Sequence, residues 1–299
     1  MKRIIAAIFV VFVVFASLGA ASAGTIDFST IDAGFERRET WKSSLDALTG
    51  LADGITDNSQ KAEVCWRMSL FACYIGSDQK TTDEMRQWYA KGIEYAQKGL
   101  DANPLSRECW LWHCACVGRD AETRGLSGQL KAVDVMLKDL DMLLNILRCE
   151  DYSEAWHAMG EIFWKHPFKS TSAAVSYFRR TIDTIPAGEI RMVSYRGLAE
   201  ALYARNWSAG KRVSEFAFQQ KAWAAGQSDS VTMHYQSYEG RNGSNVKPAW
   251  STKTLGELSD RQEAKIILMY ATMLYDMSPA HGDADTRDYI RIQELLSSW

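Results

Sequence analysis

The chain reads as an all-α protein, a solenoid of about three to four stacked helix pairs with additional helices at its C-terminal end. Three observations lead there. Prolines number only five in 299 residues, while Ala, Leu, Met, Lys, Glu and Gln are plentiful. Long stretches space apolar residues at three and four, so helix is favoured throughout and no convincing strand pattern emerges. The stretch Trp156-x-x-Met159-Gly160-x-x-Phe163, followed by Ala174-x-x-x-Phe178 and Pro186, has the layout of one helix-turn-helix unit. In that layout the glycine lets a second helix approach closely, the tryptophan fills the space beside it, and the small Ala174 sits where the helices cross. The landmarks recur: Trp66, Trp110 and Trp156 are each expected to open a first helix, and Pro104 and Pro186 to follow second helices. Units of this kind cannot bury their apolar face alone, so they stack, and a stack has a concave surface available for binding.

The elements follow in order. Met1-Lys2-Arg3, the uncharged run from Ile4 to Phe15 and the small-residue end Ala21-Ser22-Ala23 read as a signal peptide over residues 1–23. The alternative is an uncleaved N-terminal membrane anchor. The next segment, 24–58, is helical; residues 59–225 hold the repeats; 256–299 form C-terminal helices. Helices are expected at 34–53, 59–75, 82–102, 106–118, 126–148, 152–164, 170–184, 189–205, 208–225, 259–277 and 284–298. Ser106, Ser153, Ser170 and either Asp285 or Thr286 are the candidate caps. Tyr195-x-x-Leu198-Ala199-x-x-Leu202, turning at Asn206-Trp207-Ser208, suggests a fourth unit. Between them, residues 226–255 change character: Gly240-Arg241-Asn242-Gly243-Ser244-Asn245 and neighbouring polar residues surround Tyr235, Tyr238 and Trp250. A connection this long is expected to be either a polar loop or a functional flap.

The unit built on Trp156, Gly160, Ala174, Phe178 and Pro186 resembles a tetratricopeptide (TPR) repeat. The separations of 44 and 46 residues between Trp66, Trp110 and Trp156 exceed the roughly 34 of a standard repeat, and the excess falls in polar turns. This irregular form, with Glu108 to Gly118 and the turn Lys165-His166-Pro167-Phe168, looks like the regulator-of-microtubule-dynamics type of TPR protein. The secreted context is similar to the T component that accompanies some TRAP transporters, although this chain has no cysteine before Cys65 to carry a lipid. The first resemblance implies the fold. The second implies an accessory that binds or passes a small organic solute.

Composition excludes some classes. Loss of Lys2 and Arg3 with the leader leaves 32 basic against 37 acidic residues, a net of −5 without a basic cluster, so nucleic acid is not an expected partner. The six cysteines lie within or at the ends of apolar helical segments and are expected as small hydrophobes, although their even number in an oxidising compartment is compatible with disulfides. Cys109, His113 and Cys116 fall on one helix face with ligand types suited to zinc. With no fourth ligand to name, buried thiols and a satisfied histidine are the expectation, and neither a metal nor a cofactor is assigned. Serines sit in caps and turns without a nucleophile elbow, and acidic pairs such as Glu150-Asp151 suit solvated helix ends, so no catalytic residues are assigned and the chain is not expected to be an enzyme.

Eleven tryptophans and twelve tyrosines exceed what repeat landmarks need. Trp112, His113, Trp164, His166 and Phe168 on the repeats, and Tyr235, Tyr238 and Trp250 in the 226–255 segment, are the candidates for contact with a partner or ligand. The expected function is that of a secreted or periplasmic scaffold holding a protein partner of the cell envelope in a concave, aromatic-lined surface. The alternative is the TRAP-associated accessory for a small organic solute, and a second copy of the chain would also suit such a surface.

Overall fold

The computed structural model describes residues 26–226, 230–279 and 281–299; the leader expected at 1–23 lies outside them. Within them the chain is all-helical: α1 (Ser29–Asp32), α2 (Trp41–Ala52), α3 (Asn58–Ser77), α4 (Thr82–Ala102), α5 (Arg107–Glu122), α6 (Gly125–Asp141), α7 (Ser153–Lys165), α8 (Thr171–Asp183), α9 (Met192–Arg205), α10 (Ala209–Ala224), α11 (Val231–Tyr235), α12 (Asp260–Met277) and α13 (Asp283–Ser298). Among the described residues no helix is long and apolar enough to cross a membrane. Consecutive helices pack as pairs, α3 with α4, α5 with α6 and α7 with α8, and each pair stacks on the next.

Capping sets several of these starts. Asp57, Thr81, Ser106, Ser170, Ser208 and Ser259 each accept a backbone N–H three residues on, from Gln60, Glu84, Cys109, Ala173, Lys211 and Gln262, satisfying donors that a helix cannot satisfy internally. Ser153 lies one residue inside α7 and the last helix follows Gly282, so neither Ser153 nor Asp285 or Thr286 is the cap. The N-terminal helical segment is also broken: the expected 34–53 helix begins only at Trp41, after a 3₁₀ turn over Arg38–Thr40.

The repeat landmarks divide by position. Trp110 and Trp156 stand at the fourth residue of α5 and α7, and each donates its indole N–H to a carbonyl six residues back, Pro104 O and Glu150 O, both at 2.9 Å. Trp41 does the same to Phe35 O at 3.0 Å. The bond ties the incoming turn to the helix it opens, which is why a tryptophan suits the place. Trp66 differs: it sits in the middle of α3 and bonds the Glu63 carboxylate. At the α7–α8 crossing, Ala174, Trp156 and Phe178 are fully buried. Phe178 lies between two glycines, since a Cβ at Gly160 or Gly197 would stand 2.7 or 2.8 Å from its ring.

The fourth unit is not the one its sequence suggests. After the left-handed Asn206 the chain leaves α9 through α10, and α9 instead packs against α12, with α13 completing the layer. The intervening segment, expected as a polar loop or flap, holds α11 and 3₁₀ turns at Tyr238–Gly240 and Leu255–Glu257. It is knit into the core: Val231, Tyr238, Glu239 and Leu255 are buried. In the surrounding core α5 to α9 share one cluster with α12 and α13, while α2 and α3 form a second around Trp41, Leu48 and Phe71.

Candidate functional site

Two places gather charge and shape enough to be considered. The first is a buried ionic network. Arg179 of α8 bonds Glu239 at 2.9 Å and Glu263 at 2.7 Å; Arg205 of α9 bonds Asp260 at 2.8 Å and also grips Glu239; Arg212 of α10 bonds Glu263 at 2.5 Å. Three cations meet three anions with all six side chains out of solvent. Burial pushes the Glu239 carboxyl up, but Arg205 and Arg179 more than offset this and hold it at about 2. Trp250 donates its indole N–H to Glu263 at 3.1 Å. Each of these carboxylates is engaged by an arginine, so the network joins α8, α9, α10, the 238–240 turn and α12.

The second is a groove of about 290 Å³ on the side of the stack formed by α5, α6, α7 and the start of α9. One wall is apolar, from Leu111, Ala115, Leu130, Val133 and Met136. The amphipathic face of α6 supplies three of these five, Leu130, Val133 and Met136, and leaves them in part open to solvent. The polar lining comes from Lys165, which bonds Glu161 at 2.6 Å, from Arg119, which bonds Glu122 at 3.0 Å one turn along α5 from Ala115, and from Arg196, held by Asp288 at 2.7 Å. Burial holds the His157 imidazole below its ordinary pKa and therefore neutral near pH 7. Burial would raise Glu161, but His157 and Lys165 hold it below the ordinary carboxylate range. Among the described residues the Nδ1 of His157 and Oε1 of Glu161 have no hydrogen-bond partner. The groove's thiol, Cys114, is pushed well above the ordinary thiol value by burial and then by Asp139.

The eight residues singled out from the sequence do not converge on one place. His166 lines the groove, and Phe168, two residues on and 83% exposed, meets its ring edge to face at 5.8 Å. Trp112 turns away to meet Tyr74 edge-on at 5.6 Å, and His113 bonds buried Asp139 at 2.7 Å, fastening α5 to α6; Trp164 packs on the main core. Tyr235 stacks on Trp156 at 4.5 Å and on Tyr238 at 5.3 Å, Tyr238 bonds Asp183 at 2.9 Å, and Trp250 belongs to the ionic network. These aromatics of the 226–255 segment are thus held against the core, Tyr238 buried and Tyr235 and Trp250 half-buried, and do not sit on a free flap. Cys109, His113 and Cys116 do not converge either: the cysteines face α3 and α4, where Cys109 Sγ lies 3.6 Å from Ala62 O and Cys116 Sγ 3.7 Å from Ser69 O, while His113 faces α6. Among the described residues all six cysteines are free. Sequence reasoning missed the groove wall of α6 and the α7 row His157, Glu161 and Lys165, whose spacing of four was the available signal.

A model of the regulator of microtubule dynamics protein 1-3 family matches residues 27–190. The chain belongs to this family. The matched span runs from α1 to the turn after α8, so it contains the three stacked pairs and nearly all of the groove, whereas α9 to α13 lie beyond it. No curated protein matches the chain.

Proposed function

We propose that the protein is a non-enzymatic helical scaffold that takes an apolar anchor of a protein partner into the α5–α6–α7 groove. The observation that carries this is the groove itself: aliphatic side chains of α5 and α6 line it together with charged groups that already have ionic partners, and exposed Phe168 stands two residues beyond its His166. An apolar floor with a polar margin is how an anchor residue is received and oriented. A non-catalytic role is supported by the pairing of the groove's charges and by its one thiol being held protonated. Placement in a secreted or periplasmic setting rests on the leader sequence alone.

The test is photocrosslinking in the cells that make the protein, with a photoreactive residue at Val133 in the groove and, as control, at exposed Lys91 on α4. The expected result is a discrete adduct from position 133 that is absent from position 91. Equal labelling at both would sink the proposal.

A second reading, in which the groove takes a small organic solute as a TRAP-type accessory would, draws on the volume of about 290 Å³, near the lower limit for ligand sites. Native mass spectrometry of protein purified without denaturant decides it: a defined added mass supports the solute, and the bare chain mass contradicts it.

A further inference from the structure

Helix α12 is apolar on two sides. Ala264, Ile267, Leu268 and Ala271 are buried in the main core. On the side away from them Met269, Met273 and Met277 follow one another at single-turn spacing and are 62%, 46% and 73% exposed, with half-buried Ile266 beside them. Ile290 of α13, 54% exposed, stands one turn before Gln293, whose amide donates to the Thr272 hydroxyl next to Met273 at 3.0 Å, so the adjoining helix adds an apolar side chain at the edge of the strip. Single exposed apolar residues are ordinary, whereas three in register on one helix form a strip of the kind that marks an interface. Methionine suits that use, because its unbranched, polarisable side chain adapts to the surface it meets.

The charges beside the strip show what fits it. Lys265 and Asp276 are both exposed and, eleven residues or about three turns apart, lie along the same edge. Asp276 makes no ion pair among the described residues, and the Lys265 ammonium meets the Trp299 carbonyl oxygen. When two copies of a helix lie antiparallel and face to face, equivalent edges run side by side, so a residue near one end meets a residue near the other end of its copy. Lys265 and Asp276 are then opposite each other, twice by symmetry. The pairs 265 with 276 and 269 with 273 are both centred close to position 271, so the register that joins the charges also sets Met269 against Met273 of the second copy. A membrane surface would call instead for a basic margin, and this edge carries one charge of each sign. We propose that α12 is the interface of a two-fold dimer of this chain, the two copies of the helix antiparallel, their methionine strips in contact and Lys265 of each paired with Asp276 of the other.

The test is sedimentation equilibrium on the full folded chain across a range of micromolar concentrations. The expected mass rises to twice that of one chain. Met273→Glu should weaken association at least about tenfold while leaving the helical circular dichroism unchanged, because the side chain is not part of the core. Lys265→Glu and Asp276→Lys should each weaken it severalfold, and the two changes together should restore it, since the exchanged charges meet again across the two-fold. The charge series decides the matter by itself should Met273→Glu not fold. A wild-type chain that stays monomeric throughout the range would overturn the proposal. So would a dimer that Met273→Glu leaves intact, or a double charge variant as weak as the single ones. A monomer that floats with phosphatidylglycerol vesicles would also overturn it and give the strip to a membrane surface.

Discussion

Replacing Glu239 by alanine should destabilise the folded chain by about 3–5 kcal/mol, the range for removing one partner of a buried ion pair. The magnitude follows from what is left behind. Glu239 is fully buried between Arg179 and Arg205, and its carboxylate accepts from both guanidiniums at 2.9–3.1 Å, with a further close contact to Arg205. Without it, each arginine keeps one acidic partner, Glu263 or Asp260, and the network carries an unbalanced positive charge where water cannot reach. Urea denaturation of the two proteins measures the difference. A loss under 1 kcal/mol, the value expected of a solvated pair, would show that water enters the network.

The same carboxylate predicts acid sensitivity with a definite sign. Its folded pKa of about 2 is depressed from an ordinary 4.5, so the stabilisation is complete above the unfolded value and is lost as pH falls through the folded one. At roughly 1.4 kcal/mol per unit this amounts to about 3 kcal/mol, drawn down between pH ~5 and ~2. The stability gap between wild type and Glu239→Gln should therefore be largest near neutrality and shrink toward pH 2. A gap constant from pH 7 to pH 3 would contradict the assignment.

Trp156→Ala should cost a similar amount, about 3–5 kcal/mol, for different reasons. The side chain has no exposed surface, its indole stacks on Tyr235 at 4.5 Å and Tyr177 at 5.9 Å, and its N–H holds the Glu150 carbonyl. Truncation removes a large apolar volume, leaves a cavity and frees a carbonyl at the turn before α7. Since Tyr235 belongs to α11, the 226–255 segment should loosen first. Hydrogen exchange should show faster exchange at 231–240 than at α3 in the variant, and a uniform acceleration would contradict the coupling.

Much of the fold was legible because helices declare themselves locally. Apolar spacing and capping residues such as Ser106 and Ser170 placed most helix boundaries within a few residues, and Gly160 with Phe178 marked a close crossing that the structure contains. What was not legible is long-range. Arg179, Arg205, Arg212, Glu239, Asp260 and Glu263 come from five separate segments, and each alone in an amphipathic pattern looks like part of a solvated face. The partner of α9 is α12, with α10 and the 226–255 segment lying between them in sequence, so local periodicity favours the nearer α10. The glycine and polar residues of 240–245 suggested a loop, while the burial of Tyr238 and Glu239 beside them depends on side chains from α8 and α9. Of the candidate contact residues, His166 lies on the groove and Phe168 is exposed two residues on, as a turn between helices readily is. The groove floor on α6 escaped notice because its aliphatic face looks like ordinary core.

The groove as a binding surface is tested most directly by filling it. Ala115 lies on its α5 wall, so Ala115→Trp would occupy the space with little demand on the core behind. Affinity for the partner crosslinked from position 133, measured by titration calorimetry on purified components, should fall at least about tenfold, some 1.4 kcal/mol, with the melting temperature within a few degrees of wild type. Unchanged affinity with an unchanged melting temperature would contradict the groove as the site.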